Sequence, residues 1–437
     1  MKFSLIFLLS FCLALSVVAQ EKPNFIIIYM DDLGYGDLSM NGHPTIQTPN
    51  IDGIANKGTV FTQYYSASPA CTASRYALLT GKYPPRSGFR WVLDPKDPKG
   101  IHPDEMTLAE YLKENGYKNA IFGKWHLGST KSEYSPLQNG FDEFLGLPYS
   151  NDMIPPKYLD IAYVHNNDTI ALNPDQSQLT RQYTEAAMEF MKQNKKTPFF
   201  IYLPYAMPHT PLAVSQKFDN LSKRGKYGDA VSELDYYIGE LTKELDRLGL
   251  TKKTYVIITS DNGPWLLQKA EGGSAGLFKD GKGSTWDGGM RVPFIVYGHK
   301  NIAKTSKNTE VISAIDLLPS IVKLAGNNSL KNEIDGQDLS HLFHGNGKGK
   351  DVFYYFGLNH KLFAVRKGKW KLHVETYSQL NKDYFNQKLP LLFNLEGDPS
   401  ENYDVAEAYP EIVDELKQLL KSAEQDIILR KTFWDVK

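Results

Sequence analysis

Several short, largely apolar runs in the chain each stop at polar, potentially reactive residues. Phe25-Ile26-Ile27-Ile28-Tyr29-Met30 runs into Asp31-Asp32, and residues 118–122 run into Gly123-Lys124-Trp125-His126. Residues 199–203 lead toward Met207-Pro208-His209. Tyr255-Val256-Ile257-Ile258-Thr259 runs into Ser260-Asp261-Asn262-Gly263. A strand with one wet face alternates apolar and polar positions. Continuous runs rich in Ile, Val and aromatic residues predict strands buried on both faces.

Helical patterns lie between these runs. Thr107 and Glu110 have capping-box spacing, Leu108 and Leu112 share a face, and Gly116 offers a stop. Residues 181–193 and 229–248 are longer amphipathic candidates. Alternating strands and helices predict an α/β fold, a large mostly parallel sheet flanked by helices. In such sheets ligands bind beyond the carboxyl ends of the strands, so the polar residues after each run can meet there. The pattern changes after about residue 335. Residues 352–356, 362–366, 370–374 and 391–395 read as short strands, with a last helix over 410–423. The expected organisation is a larger α/β domain over 20–335 and a smaller C-terminal α+β domain with an antiparallel sheet over 336–437.

Composition narrows the class. Of the 437 residues, 41% are hydrophobic and 23% charged, which is ordinary globular composition with enough apolar residues for a sizeable core. The formal net charge of −1 gives no global attraction to nucleic acid or anionic membrane. Any anion site must therefore be a local basic cluster. Lys2, an apolar run from Phe3 to Val18 and the small Ala19 predict a signal peptide over 1–19 and export to a periplasmic, extracellular or lumenal compartment. The run is short for a span and no basic stop-transfer cluster follows, so stable membrane insertion is not expected. Bulky Phe11 argues against lipid attachment at Cys12. Removing Cys12 with the signal peptide leaves Cys71 alone. A lone cysteine in an oxidising compartment is buried and inert, paired with another molecule, or chemically used. Composition alone favours burial.

Two oxygen-rich pairs, Asp31-Asp32 and Asp261-Asn262, stand at strand ends. Four hard oxygen donors suit Ca²⁺ or Mg²⁺. Either pair alone would read as turn residues. The surroundings of Cys71 decide between the open readings. Cys71-Thr72-Ala73-Ser74-Arg75 continues as Tyr76-Ala77-Leu78-Leu79-Thr80-Gly81-Lys82-Tyr83-Pro84. This resembles the signature of the formylglycine-dependent sulfatases of the alkaline phosphatase superfamily, with Ala73 where most members have Pro. Further landmarks fall in order: Asp31-Asp32, Gly123-Lys124-Trp125-His126-Leu127-Gly128, Pro208-His209-Thr210-Pro211, Ser260-Asp261-Asn262-Gly263, and the stretch from Gly281 to Pro293. Leu392-Phe393-Asn394-Leu395 with Asp398-Pro399 resembles the family's C-terminal ending. Gly146-Leu147-Pro148-Tyr149-Ser150-Asn151-Asp152 resembles the arylsulfatase A and N-acetylgalactosamine-6-sulfatase branch.

The resemblance implies that a maturation enzyme oxidises Cys71 to formylglycine, whose hydrate is the nucleophile. It implies a cation, usually Ca²⁺ with Mg²⁺ possible, held by Asp31, Asp32, Asp261, Asn262 and the modified Cys71. Arg75 then steadies the nucleophile and the carboxylates, and Lys124 and Lys282 grip sulfate oxygens. His209 is the expected proton donor to the leaving alcohol, and His126 the acceptor during sulfate release. Ser150 and Asp152 are expected to face substrate, and Arg90-Trp91 is a weaker candidate sugar contact. The implied substrate is a sulfate monoester on a saccharide, with galactose and N-acetylgalactosamine units favoured. Two alternatives remain at this stage: a phosphonate or phosphate ester hydrolase of the same superfamily, and a catalytically dead glycan-binding protein on the same scaffold. The paired lysines and the single oxygen-rich metal set favour sulfate. The complete set of catalytic residue types argues against a dead scaffold.

Overall fold

A computed structural model describes residues 22–88, 91–304 and 306–435. The expected signal peptide and Arg90 lie outside the described residues. The main sheet has ten strands. Across its middle the order is Thr254–Ser260, Asn24–Met30, Phe199–Pro204, Lys118–Lys124 and Glu143–Leu147, every neighbouring pair parallel. Both flanks depart from this. Phe294–Gly298 runs antiparallel to Thr254–Ser260 and to Thr59–Phe61, and Ser306–Asn308 closes that edge. On the other side Ala162–His165 and Asp168–Leu172 add an antiparallel hairpin. The sheet is thus mixed, with a parallel centre.

The two-sided burial inferred from the apolar runs has a direct structural basis. All seven residues of Asn24–Met30 are buried. Phe25, Ile27 and Tyr29 enter one core with the helices Cys71–Thr80, Leu108–Glu114 and Leu317–Leu324. Ile26, Ile28 and Met30 enter a second core with Leu179–Gln193 and Lys226–Arg247. Successive side chains of a strand point to opposite faces, so one apolar run feeds both cores. The Thr107 capping box forms as expected, and Gly116 follows the helix end with φ +80°.

The C-terminal strands Val352–Phe356, Leu362–Lys367, Trp370–His373 and Leu391–Asn394 form an antiparallel sheet in that order. Val365, Leu372 and Leu392 pack against Val413, Leu416 and Leu420 of helix Pro410–Ala423. Phe353, Tyr355 and Ala364 join the main core. Lys371 is wholly buried and reaches Asp287 at 2.8 Å and Glu401 at 2.9 Å. His373 contacts the same Glu401 at 2.8 Å. This network ties the C-terminal sheet to the segment that carries Lys282. No helix among the described residues is long and apolar enough to cross a membrane.

Candidate active site

The register of the central strands brings distant residues to one edge. Met30 lies opposite Ser260, and Tyr29 opposite Pro204. Asp31, Asp32, Asp261 and Asn262 therefore leave neighbouring strands at the same end, and Asp261 N donates to Met30 O at 3.0 Å. Lys124 is the last residue of its strand. The strand turns at Gly123, with φ +139°, where a Cβ would lie 1.9 Å from Pro204 O, so only glycine fits. Asp32 and His126 hold φ of +64° and +58°, in the left-handed region that is uncommon outside glycine.

Cys71 opens a ten-residue helix in which every residue is buried. Arg75, one turn on, shares its face. Gly81 ends the helix in the left-handed conformation. Cys71 is a free, buried thiol. Burial pushes the thiol pKa up, and Lys124 and Lys282 nearby do not offset it. A protonated thiol is a poor nucleophile.

The charged side chains form one connected, buried cluster. Arg75 Nη2 lies 2.8 Å from Asp261 Oδ2 and 3.4 Å from Asp31 Oδ2, and Nη1 donates to Lys124 O at 3.0 Å. Lys124 Nζ lies 2.5 Å from Asp31 Oδ2 and 3.0 Å from Ser150 Oγ. Lys282 Nζ lies 2.8 Å from Asp32. Asn262 Nδ2 donates to Asp32 Oδ1 at 2.7 Å, and Asp32 N donates to Asp261 Oδ1 at 3.1 Å. Burial acts to raise the Asp31 carboxyl, but Lys124, His209, Arg75 and Lys282 outweigh it and hold it well below the usual range. Burial and the Asp31 charge push Asp261 up.

Two oxygens in this cluster lack hydrogen bonds. Asp31 Oδ1 and Asn262 Oδ1 are buried with no partner. Buried oxygens without donors are uncommon and call for an explanation. One ligand atom from each of Asp31, Asp32 and His209 also lies within 4.8 Å of the others. Orphaned hard oxygens beside converging carboxylates fit a divalent cation of the Ca²⁺ or Mg²⁺ kind. His209 is thus close enough to be a donor, in addition to its expected acid role.

The imidazoles are set by their carbonyl partners. His126 Nε2 lies 2.9 Å from Leu93 O, and its Nδ1 is buried without a partner. The carbonyl requires the proton on Nε2, which leaves Nδ1 as the acceptor. Burial, then Lys124, lowers the His126 pKa well below the ordinary imidazole value. His209 Nδ1 faces Thr210 O and its Nε2 lies 3.6 Å from Asp32 Oδ2. Burial and Lys282 lower its pKa.

The structure therefore brings Asp31, Asp32, Arg75, Lys124, His209, Asp261, Asn262 and Lys282 into direct contact around Cys71, and Ser150 joins through Lys124. Asp152 does not join; no described contact links it to the cluster, although its Oδ1 is buried without a partner. Trp91 packs against His360 with ring centroids 5.9 Å apart. Two neighbours escaped the sequence reading. Asn151 donates to His209 O at 3.4 Å and Pro211 O at 3.3 Å. Trp265 packs tilted against His209 and beside Lys282. Their signal was position alone, beside Ser150 and three residues after Asn262.

Comparison with known proteins agrees with this geometry. Residues 23–327 match the sulfatase family model, and residues 348–434 match the C-terminal region of aryl-sulfatase. Bovine (Bos taurus) arylsulfatase A is 37% identical, over 95% of this chain and 90% of its own. N-acetylgalactosamine-6-sulfatase of Mus musculus is 34% identical, over 95% of this chain and 88% of its own. The crystal structure of Ps i-CgsB in complex with k-i-k-neocarrahexaose superposes with a TM-score of 0.81 at 31% identity, covering 95% of this chain and 96% of that one.

Proposed function

This chain belongs to the sulfatase family and hydrolyses sulfate esters, and from that premise we propose that it acts on a sulfated sugar through a hydrated formylglycine made from Cys71. The observation that carries this reading is the setting of Cys71. It is a buried thiol kept protonated, yet it faces two lysines and a cation-ready set of carboxylates. An aldehyde hydrate supplies the hydroxyl that the thiol cannot.

The proposed steps are those that the family resemblance around Cys71 implies. One hydroxyl of the hydrate attacks sulfur, and the bond from sulfur to the sugar oxygen breaks. The product is a sulfate ester on residue 71 and a free alcohol. Loss of the second hydroxyl's proton rebuilds the aldehyde and expels sulfate, and water restores the hydrate. The net reaction consumes one water and releases one proton. Splitting one difficult displacement into two steps lowers each barrier.

Lys124 and Lys282 are proposed to hold the sulfate oxygens, leaving Asp31 and Asp32 as they do so. Arg75 keeps Asp261 and Asp31 in place. His126, with its proton on Nε2, presents Nδ1 to take the hydroxyl proton during release. His209 gives a proton from Nε2 to the leaving alcohol; the ester's negative charge and nearby Asp32 favour the protonated ring. Asp31, Asp32, Asp261 and Asn262 would hold the cation, for which Ca²⁺ is favoured. When bound, the cation supplies a Lewis acid for the sulfate oxygens.

Galactose and N-acetylgalactosamine sulfates are the favoured substrates, since the N-acetylgalactosamine-6-sulfatase is among the relatives. Export behind residues 1–19 and maturation by a formylglycine-generating enzyme complete the proposal. Residues 20–335 are read as the catalytic part, braced by residues 336–437. The test is sulfate release from a panel of sulfated monosaccharides, with a phosphate diester and a phosphonate in parallel. Release from a sugar sulfate above both controls supports the reading. Faster turnover of the phosphorus esters opposes it.

A further inference from the structure

The C-terminal region reaches the mouth of this site through one side-chain pair. Trp265 is half-buried in the loop that follows Asn262. Its ring centroid lies 4.6 Å from Lys282 Nζ and 5.2 Å from the His209 ring. Its indole Nε1 donates to Gln379 Oε1 at 2.9 Å, across 114 residues of chain. Gln379 lies across Gly283, the residue after Lys282. A Cβ at Gly283 would stand 2.4 Å from Gln379 Nε2, and its φ of +86° also requires glycine. Trp265 thus has a fixed indole, a polar tether from another part of the chain, and a half-open position.

Its two ring contacts identify what it faces. A sulfate ester joins sulfur to the sugar through one bridging oxygen. Lys282 is assigned to the sulfate side of that oxygen and His209 to the oxygen itself. A ring against both residues must lie beside the bridging oxygen and the first carbons of the alcohol. Sugar rings present apolar C–H faces, which aromatic walls of a polar pocket accommodate well. We propose that Trp265, oriented by Gln379, is the platform on which the sugar ring carrying the ester rests. The inference rests on the sulfated-sugar reading above. Trp265 contacts substrate, and Gln379 is a positioning residue acting through it.

The test uses matured full-length enzyme and the best substrate from a panel of galactose and N-acetylgalactosamine sulfates. Inorganic sulfate serves as a competing probe of the sulfate grip alone. Trp265→Ala is expected to raise KM for the sugar sulfate about tenfold, while kcat shifts less than about threefold and the sulfate inhibition constant stays within about twofold. Gln379→Leu should raise KM less, and the double variant should be no worse than Trp265→Ala alone. Trp265→Phe, which keeps a ring, should fall between wild type and Trp265→Ala. An unchanged KM in Trp265→Ala overturns the proposal. So does a parallel rise in KM and the sulfate inhibition constant, because Trp265 then merely supports Lys282. Absence of wild-type turnover on every sugar sulfate instead overturns the substrate reading beneath it, and this proposal with it.

Discussion

Lys124 Nζ lies 2.5 Å from Asp31 Oδ2, and neither side chain has any exposure to solvent. Lys282 Nζ lies 2.8 Å from Asp32 nearby, with 9% and 3% of the two side chains exposed. The lysines compensate the buried carboxylates, as buried charges require. Three carboxylates (Asp31, Asp32, Asp261) face three cations (Arg75, Lys124, Lys282), so a divalent ion leaves the pocket net positive and attractive to a sulfate monoester.

The first prediction concerns this exchange. Lys124→Ala removes the shorter of Asp31's two ion pairs, leaving Arg75 at 3.4 Å, and should destabilise chelated protein by up to about 3–5 kcal/mol, the usual effect of breaking a buried pair. Added Ca²⁺ should recover most of that loss. Thermal melts with chelator and with Ca²⁺ decide it; equal losses in both conditions oppose the account. Activity should fall at least about 100-fold in either case, because the sulfate grip is gone.

His209 has two possible roles, and leaving groups separate them. A proton donor matters for a poor leaving group such as a sugar alcohol and little for an activated phenolate. His209→Ala should lower kcat on the sugar sulfate by about 10²–10⁴-fold, and on nitrophenyl sulfate by less than about tenfold. Equal loss on both, with weaker Ca²⁺ stabilisation, would make His209 a cation ligand instead.

The pH dependence of stability should carry the signature of His126. Burial and Lys124 lower its folded pKa well below 6.5, so the unfolded chain binds a proton there that the folded protein refuses. Its contribution is present above 6.5 and is lost as the pH falls below that value toward the folded pKa. His126→Asn tolerates the same φ of +58° and removes the titrating ring. Melting temperature measured from pH 7.5 to 5.5 should fall less steeply in that variant. An unchanged slope would contradict the assignment.

Lys371 ties the C-terminal sheet to the segment that carries Lys282, and Asp287 carries the consequence. Burial alone would raise the Asp287 carboxyl, but Lys371 and Arg291 hold it down to about 2. Lys371→Met should cost about 3–5 kcal/mol, with Glu401→Gln in the same chain recovering part of it. Denaturant unfolding of the single and double variants measures the coupling, and full additivity would contradict it.

The parallel centre of the sheet was legible because strands buried on both faces leave unbroken apolar runs, as in Asn24–Met30. The residues after those runs were legible as a site because parallel strands end at one edge. The mixed flanks were not, since Thr59–Phe61 and Ser306–Asn308 are too short to carry a period. Lys371 was hidden for a different reason: a buried, paired lysine and a solvated one are spelled alike, and its partner Asp287 is 84 residues away. Gln379 and Trp265 are separated by 114 residues, and no local pattern joins them.

The central claim is that Cys71 is the precursor of the nucleophile. It is tested most directly by sulfate release from a sugar sulfate, comparing matured wild type with Cys71→Ala prepared alongside it. The account predicts turnover by the wild type and none by the variant, with both melting at the same temperature. Full activity in Cys71→Ala would contradict it.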